Sequence, residues 1–282
     1  MKHHFCIISA IFPLLWVGAC TSHILQSERL PEKECGSKSV IAFSPDGGCC
    51  AEEGFSVIGI SSDDGEVIVN DIALPEPHPD MFITTNRHDI PYGQSIDFYA
   101  LYPKELDISI RDGNVSFTYG PEHRGMDILA GEAEGFIYRK GSADNIVPLC
   151  FHHITGGLEI DVQGIDEDAE YIVKSLSARS AASAVYDLKN SFWSKTEGYD
   201  DTSLGTAGER QCLIPGEVEI SVHWSCVRNG IETAEYTATV PVTLTMGKIS
   251  KVRLKLSDSG SEKIGFDVDV EPWNKTNAEA NF

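Results

Sequence analysis

The segment Ile146–Val162 reads IVPLCFHHITGGLEIDV and lies near the middle of a chain of 282 residues. Pro148 leads a hydrophobic run that is typical of a strand, two adjacent histidines follow, and a Gly156-Gly157 pair interrupts the run. The preceding residues, 141–145, are polar and turn-like. The segment is therefore either the opening strand of a domain or the place of a histidine site.

The two histidines of this segment, His152 and His153, are the first candidates for chemistry. Adjacent side chains on a strand point to opposite faces, so this pair cannot chelate one ion as an i, i+2 pair does. We expect one histidine to face the core and form a hydrogen bond, and the other to lie at the surface. Zinc binding and base catalysis are the alternatives. The segment then opens a second sandwich, with Phe151 facing its core.

Short strand patterns flank this segment on both sides. Glu217–Trp224 and Val252–Leu256 alternate with period two, and Arg111–Asn114 carries an Asp-Gly hairpin signal. Three prolines predict a stiff loop at Leu74–Pro79, and the polar Ser191–Glu209 predicts a long surface loop. The predicted strands are Ser39–Ser44, Phe55–Ile60, Glu66–Val69, Met81–Thr85, Ser95–Leu101, Leu106–Ile110, Asn114–Tyr119, Asp127–Ala130, Gly135–Tyr138, Val147–Val162, Ala169–Ala178, Ala182–Leu188, Gln211–Trp224, Thr233–Leu244, Lys251–Leu256 and Lys263–Val270.

These patterns predict an all-β fold. No window of 12 or more residues shows convincing helical periodicity. Many short strands separated by Gly, Asp and Pro turns are typical of antiparallel β-sandwiches. Two runs of about seven strands each predict two sandwiches, an N-terminal one at 39–145 and a C-terminal one at 146–282.

The first 19 residues have the pattern of an export signal, with a hydrophobic run too short to span a membrane. Val17-Gly18-Ala19-Cys20 resembles the cleavage site of bacterial lipoproteins, which implies lipid attachment to Cys20 after export. A plain secretory signal is the alternative. The polar residues 20–38 then form a tether.

The charge of the chain argues against two classes of partner. The formal net charge is −21, whereas proteins that bind nucleic acids or anionic membrane surfaces carry clustered Lys and Arg. No other segment is long and apolar enough to cross a bilayer, so we expect membrane attachment through the lipid alone.

Exported chains permit disulfides, and six cysteines follow the lipid site. The adjacent Cys49 and Cys50 are hard to bridge to each other, so one of them can pair with Cys35. Cys212 and Cys226 can join neighbouring strands. Buried cysteines without a bridge are the alternative. The six are Cys35, Cys49, Cys50, Cys150, Cys212 and Cys226.

Motifs for catalysis and metal binding are absent from the sequence. It contains no G-x-S-x-G, no H-E-x-x-H, no C-x-x-C and no Gly-rich loop between a strand and a helix. The acidic Gly164–Glu170 lacks the alternating register of a calcium loop. We expect no enzyme activity, no cofactor and no metal site.

The stretches at 90–103, 147–162, 237–256 and 264–273 together resemble the fimbrillin family of Bacteroidales surface lipoproteins. Ile90–Pro103 is similar to an aromatic-rich strand of that family, and Val147–Val162 to its histidine-bearing strand. Thr237–Leu256 is similar to paired late strands around a Gly-containing turn, and Ile264–Trp273 to a terminal strand closed by tryptophan. The resemblance extends over roughly residues 55–273.

The resemblance implies two transthyretin-like β-sandwich domains with Greek-key antiparallel sheets. It also implies an outer-membrane lipoprotein at the cell surface or in a fimbrium, with a structural and adhesive role as a subunit, tip or anchor. The implied partners are other fimbrial subunits and a glycan or protein of a host or bacterial surface.

In polymerising members of that family, an arginine-specific protease removes the first strand, and a donor strand from the next subunit fills the groove. This chain departs from that pattern. The only arginine between Cys20 and Phe55 is Arg29, upstream of the first predicted strand. Cleavage there is expected to release the tether and leave the strand in place.

A lipid-anchored carbohydrate-binding protein is the alternative function. Sugar sites stack rings on Trp or Tyr, and Trp193 and Tyr199 in the Ser191–Glu209 segment are the candidate ligand contacts. Capping of the sandwich end is the other interpretation of these two side chains. A hydrolase is the third class, for which a substrate screen is the test.

Overall fold

The computed structural model describes residues 38–46, 53–77, 81–166, 168–205, 208–258 and 264–273, all within the unit Lys33–Phe282. These residues form nineteen strands and one short 3-10 helix, Pro121–His123, so the predicted all-β class is confirmed. Within these ranges, no helix has the length and apolarity that crossing a membrane requires. In chain order the strands are β1 (Lys38–Ser39), β2 (Ala42–Asp46), β3 (Phe55–Ser61), β4 (Val67–Pro75), β5 (Phe82–Thr84), β6 (His88–Asp89), β7 (Ser95–Tyr102), β8 (Ser109–Arg111), β9 (Asn114–Tyr119), β10 (Leu129–Ile137), β11 (Ile146–His153), β12 (Gly156–Gly164), β13 (Glu170–Asp187), β14 (Phe192–Ser203), β15 (Gln211–Leu213), β16 (Gly216–Arg228), β17 (Ile231–Leu244), β18 (Lys248–Leu256) and β19 (Gly265–Pro272).

The first half of the chain forms a closed sheet of seven strands in the order β10-β11-β2-β5-β4-β3-β7, with β7 also paired to β10. All neighbours are antiparallel except β11 and β2, which are parallel. The sheet is therefore mixed, and the expectation of antiparallel sheets is wrong for this pair of strands. A parallel pair needs a long connection, and about a hundred residues separate these two strands along the chain.

Two facing sheets are formed mainly by the second half of the chain. One has the order β15-β12-β18-β19, with β12 and β18 parallel, and the other has the order β17-β16-β13-β9-β8. Across the space between them, β17 lies near β12 and β18. The long β13 pairs along one edge with β16 and then with β9, and along its other edge with β14. One strand therefore links β8 and β9, from the first half of the chain, to the later strands.

The stretch Ile146–Val162 divides into two strands with different neighbours. β11 pairs with β10 and β2 in the closed sheet, whereas β12 pairs with β15 and β18. The prediction that β11 opens the second sandwich is therefore wrong. Its Val147, Leu149 and Phe151 pack in the core of the closed sheet, so the prediction that Phe151 faces a core is right, but the core is the first one.

Two loop predictions also need correction. Phe192–Ser203 lies inside the predicted surface loop but forms β14, because pairing with β13 satisfies its backbone despite its polar composition. β4 extends to Pro75, so the loop that was predicted to begin at Leu74 begins two residues later in the structure. Asn114–Tyr119 has the predicted bounds, since its Asp-Gly turn and its alternation both lie within the strand and its hairpin.

Candidate assembly surfaces

β2 occupies the position that closes the first sheet between β11 and β5. It runs parallel to β11 from Ala42 to Asp46, and its start is held by β5. The Ile41 N–H donates to Thr84 Oγ1 (2.9 Å), and the Thr84 N–H donates to the Ile41 carbonyl (3.0 Å). Removal of this one strand would leave β11 and β5 without a neighbour on that side.

The side chains of β2 and of the residue before it that face the core are apolar and fully covered. Ile41 and Phe43 are 0% exposed. The ring of Phe43 meets those of Phe55 and Phe98 edge-on, with centroids 5.7 and 5.5 Å apart, and Phe55 packs in turn on Phe151 at 5.3 Å. Fully burying one such side chain contributes about 2–3 kcal/mol, so this strand cannot leave without exposing an apolar groove.

The buried carboxylate of Asp71 binds the turn between β5 and β6, the two strands that pair with β2 and β1. The side chain of Asp71, on β4, is 3% exposed and lies 2.9 Å from His88 Nε2. It also accepts hydrogen bonds from the Asn86 N–H (2.8 Å), the Ile72 N–H (2.8 Å) and the Thr85 hydroxyl. Burial raises the pKa of Asp71, but these hydrogen bonds outweigh it and lower the pKa to about 2.

This Asp71 cluster reaches the N-terminal strand through β6. His88 pairs with Ser39 of β1, and Thr84 binds Ile41 just before β2. Sequence reasoning missed the cluster. An acid inside the mostly apolar sequence of β4 was the available signal, since a charge on a strand that packs on a core needs partners.

The two central histidines have separate partners. His152 Nε2 lies 3.0 Å from the Tyr186 hydroxyl, and burial, followed by the neighbouring His153, lowers the pKa of His152. His153 Nδ1 lies 2.8 Å from Asp127 Oδ1. The expected inward, hydrogen-bonded histidine is His152. The expectation that the other lies at the surface is wrong, because the His153 side chain is only 17% exposed.

Trp273 covers His153 and fixes the end of β19. The two rings are stacked with centroids 4.3 Å apart, and the Arg210 guanidinium lies 5.1 Å from the indole centroid. Arg210 is itself held by Glu159, at 2.7 and 2.8 Å. A side chain at residue 157 would place its Cβ 3.0 Å from the indole. The absence of a side chain at Gly157 therefore allows the indole ring to pack closely against the backbone.

Trp193 and Tyr199 lie in β14 but are not brought together. Trp193 donates from Nε1 to the Ile154 carbonyl (2.7 Å) and packs against Tyr186 and Tyr119. This arrangement favours the capping interpretation for Trp193. Tyr199 is 63% exposed. Six residues of strand separate the two by about 20 Å, too far for one sugar ring to touch both.

The predicted bridge between Cys212 and Cys226 is wrong, because the structure does not join these two cysteines. Cys212 lies in β15 and Cys226 in β16, where Cys226 is opposite Tyr171 and Ala234. Burial, followed by the charge of Asp127, raises the pKa of Cys212 to about 12. The structure shows Cys212 as a buried thiol without a bridge, which is the alternative that the sequence left open.

Several predicted sites lie outside the described residues. They are Cys20, Arg29, Cys35, Cys49 and Cys50, together with the signal and most of the tether. Lipid attachment, proteolytic processing and disulfides at these positions stay predictions.

A cleft of about 250 Å³ opens along β12, β18 and β19. Charged side chains line it, and its lining contains no histidine, serine or cysteine. Among the described residues, no three His, Cys, Asp or Glu side chains form a group able to hold a metal ion. The notable polar and aromatic contacts described above fasten strands to one another.

These features define an all-β protein whose distinctive side chains hold strand ends in place. A family model described as fimbrillin-like matches residues 83–273, more than half of the chain, and the chain belongs to that family. The predicted resemblance is therefore confirmed. No curated protein matches the chain.

Solved structures share the fold at low sequence identity. A protein of Bacteroides uniformis proposed to act in cell adhesion is 16% identical, with a TM-score of 0.57 over 84% of this chain and 98% of that one. A fimbrial protein of Bacteroides vulgatus is 15% identical, with a TM-score of 0.54 over 78% and 92%. A fimbrial assembly protein of Parabacteroides distasonis is 12% identical, with a TM-score of 0.51 over 83% and 99%. At these sequence identities, the structural similarity establishes a shared fold only.

Proposed function

We propose that this chain is a cell-surface fimbrial subunit or a tip or anchor lipoprotein of a fimbrium, with a structural and adhesive role. The observation that carries the proposal is the position of β2, one N-terminal strand that closes a sheet and, with the residue before it, buries Phe43 and Ile41 in the core. Membership of the fimbrillin-like family supports it, as do the fimbrial neighbours in fold. The role is not enzymatic, and His152 and His153 are structural side chains.

Assembly in this proposal proceeds by strand addition, with other fimbrial subunits as partners. A sheet that lacks β2 exposes unpaired backbone groups on β11 and β5 above an apolar groove. A donor strand with alternating apolar residues satisfies both, because it supplies ladder hydrogen bonds and refills the core.

The position of arginines favours a subunit that keeps β2. Arg29 precedes β1, and the next arginine is Arg87, after β5. Cleavage at Arg29 leaves β2 in place, while cleavage at Arg87 also removes β3, β4 and β5 from the sheet. We therefore place the chain at a tip, anchor or accessory position, where β2 fills its own groove and strand addition at that groove requires that β2 first be removed.

The proposal includes an outer-membrane anchor and two tandem transthyretin-like sandwiches. Lipid on Cys20 would hold the chain at the cell surface. The change of strand partners between β11 and β12 supports a division there, close to the predicted boundary at 145–146. Metabolic labelling with an alkyne palmitate checks the anchor, since Cys20→Ala abolishes labelling if Cys20 carries the lipid.

The assembly test compares two trimmed variants on unboiled gels. A variant that begins at residue 54 lacks β1 and β2 and is expected to form ladders of strand-exchanged polymers. A variant that begins at residue 38 keeps both strands and is expected to remain monomeric. A synthetic peptide KSVIAFSPD, which copies residues 38–46, should suppress the ladders by refilling the groove. Monomers from both variants would contradict assembly by strand addition.

Processing is tested separately by mass spectrometry of protein released from the cell surface. A mature N-terminus at or before residue 38 supports a retained β2. An N-terminus beyond residue 44 would contradict the retained strand and return the chain to the polymerising subunits.

Carbohydrate binding is a second candidate function, favoured by the exposure of Tyr199. Binding to a glycan array that disappears in Tyr199→Ala, with Phe192→Ala as the exposed aromatic control, would support a lectin-like protein. Equal binding by both variants would remove Tyr199 as a ligand contact.

A further inference from the structure

The C-terminal strand β19 is the last strand of the sheet β15-β12-β18-β19. Eight residue pairs join it to β18, and no described strand pairs with its other edge. An unpaired edge presents a row of N–H and C=O groups that can receive another strand. The side chains on its two faces determine which strand fits.

The inner face of this edge is apolar and uncovered. Phe266 and Val268 lie beside Leu254 and Val252, which are 0% and 1% exposed in the core. One strand further out, Phe266, Val268 and Val270 are 43%, 40% and 47% exposed. The facing strand β17 lies near β12 and β18. The apolar face of the sheet therefore extends past the buried core.

The outer face of the same sheet alternates in charge from strand to strand. The β12 residues are acidic, the β18 residues basic and the β19 residues acidic, and ion pairs join each row to the next. Arg253 lies 3.6 Å from Asp161, Lys251 2.5 Å from Glu271, and Lys255 2.6 Å from Asp267. The rows are Glu159 and Asp161, then Lys251, Arg253 and Lys255, then Asp267, Asp269 and Glu271.

We propose that the open edge of β19 receives a strand of another protein whose side chains alternate between apolar and basic. Such a strand continues both patterns, because its apolar residues cover Phe266, Val268 and Val270 while its basic residues meet the acidic row. The inference rests on the proposed role in strand-based assembly and adds a second contact, at the opposite end of the chain from β2.

Charge excludes the same strand of a second copy as the occupant. Pairing β19 with another β19 sets the acidic row Asp267, Asp269 and Glu271 beside the same acidic row of the second copy, and like charges directly opposite destabilise a sheet. β18 shows the chemistry that β19 accepts. Its sequence, KISKVRLKL at Lys248–Leu256, alternates basic and apolar residues from Lys251 onward and already fills the first edge of β19.

The probe is therefore a fluorescein-labelled KISKVRLKL peptide, titrated with the mature full-length chain and followed by fluorescence anisotropy. We expect saturable binding that weakens as salt is raised, since exposed charge pairs are screened. Hydrogen exchange should slow at the amides of β19 when the peptide is bound. A peptide of the same composition in scrambled order is the control for charge alone.

Asp269 is the residue to change, because no ion pair of it occurs among the described residues, so the pairs of Asp267 and Glu271 stay intact. Asp269→Lys should weaken peptide binding about tenfold, since it turns an attractive cross-strand pair into a repulsive one. Asp269→Asn should have a smaller effect in the same direction. Asp63→Lys, in an exposed turn of the first half, makes the same change in net charge and should leave binding unchanged.

Binding that is absent, or equally strong for the scrambled peptide, would overturn the inference, and so would equal effects of Asp269→Lys and Asp63→Lys. Dimerisation of the chain that Asp269→Lys abolishes would identify a second copy as the occupant and overturn the inference too.

The ladder assay separates this inference from the proposed function. Ladders without peptide binding contradict the β19 site alone, and peptide binding without ladders contradicts assembly through β2 alone.

Discussion

The indole of Trp273 lies nearly parallel to the imidazole of His153, with ring centroids 4.3 Å and planes 16° apart. His153 ends β11 in the closed sheet, and Trp273 follows β19 in the second half of the chain. The stack therefore joins the two halves at one point, and it fastens the C-terminal strand at the end that follows Pro272.

Trp273→Ala should loosen β19. The change removes the stack with His153 and uncovers Gly157, and for a half-buried tryptophan we expect a loss of about 2 kcal/mol in the free energy of unfolding. Urea unfolding measures the loss, and hydrogen exchange should rise in β19 before other strands. Phe192→Ala, an exposed aromatic on β14, is the control. Equal effects of the two changes would contradict a fastening role for Trp273.

Phe43→Ala tests β2 as part of the core. Phe43 is 0% exposed and packs on Phe55 and Phe98, so its truncation should cost about 4 kcal/mol of stability. Val40, on the same segment, is 39% exposed, and Val40→Ala should cost less than about 0.5 kcal/mol. Urea midpoints compare the two. If Phe43→Ala proved as mild as Val40→Ala, β2 would contribute little to the closed sheet.

The lowered pKa of Asp71 predicts that the protein loses stability in acid. Because the folded pKa of about 2 lies below the ordinary 3.8, the ionised carboxylate stabilises the fold above about pH 4. This contribution, about 2 kcal/mol, should vanish as the pH falls from 4 towards 2. Thermal unfolding across that range measures it. Asp71→Asn should flatten the profile, whereas Asp63→Asn, in an exposed turn, should not.

The cysteines should differ in reactivity. Cys150 is exposed, whereas Cys212 is buried and its pKa is raised to about 12, so almost no thiolate forms at pH 8. Iodoacetamide followed by peptide mapping should mark Cys150 in the native protein and both residues in urea. Rapid native alkylation of Cys212 would contradict its burial.

Local patterns were sufficient to predict the strands with their own turns. Asn114–Tyr119 carries both its alternation and its Asp-Gly turn within a few residues, and the structure has the same bounds. Phe192–Ser203 was not predictable in this way, because its polar sequence becomes a strand only when β13 supplies hydrogen bonds along its length. The formation of β14 is therefore determined by its pairing with β13 and not by its own sequence pattern.

The sequence by itself determined the all-β class and the fimbrillin-like family, because period-two alternation and turn residues act over a few positions and the family pattern lies in the residues themselves. The tertiary structure alone decided that β11 pairs with β2, that Asp71 gathers Asn86 and His88, and that Trp273 reaches His153. Each of these contacts joins residues distant in the chain, and the free energy that selects them comes from packing and hydrogen bonds that form only once both strands are in place.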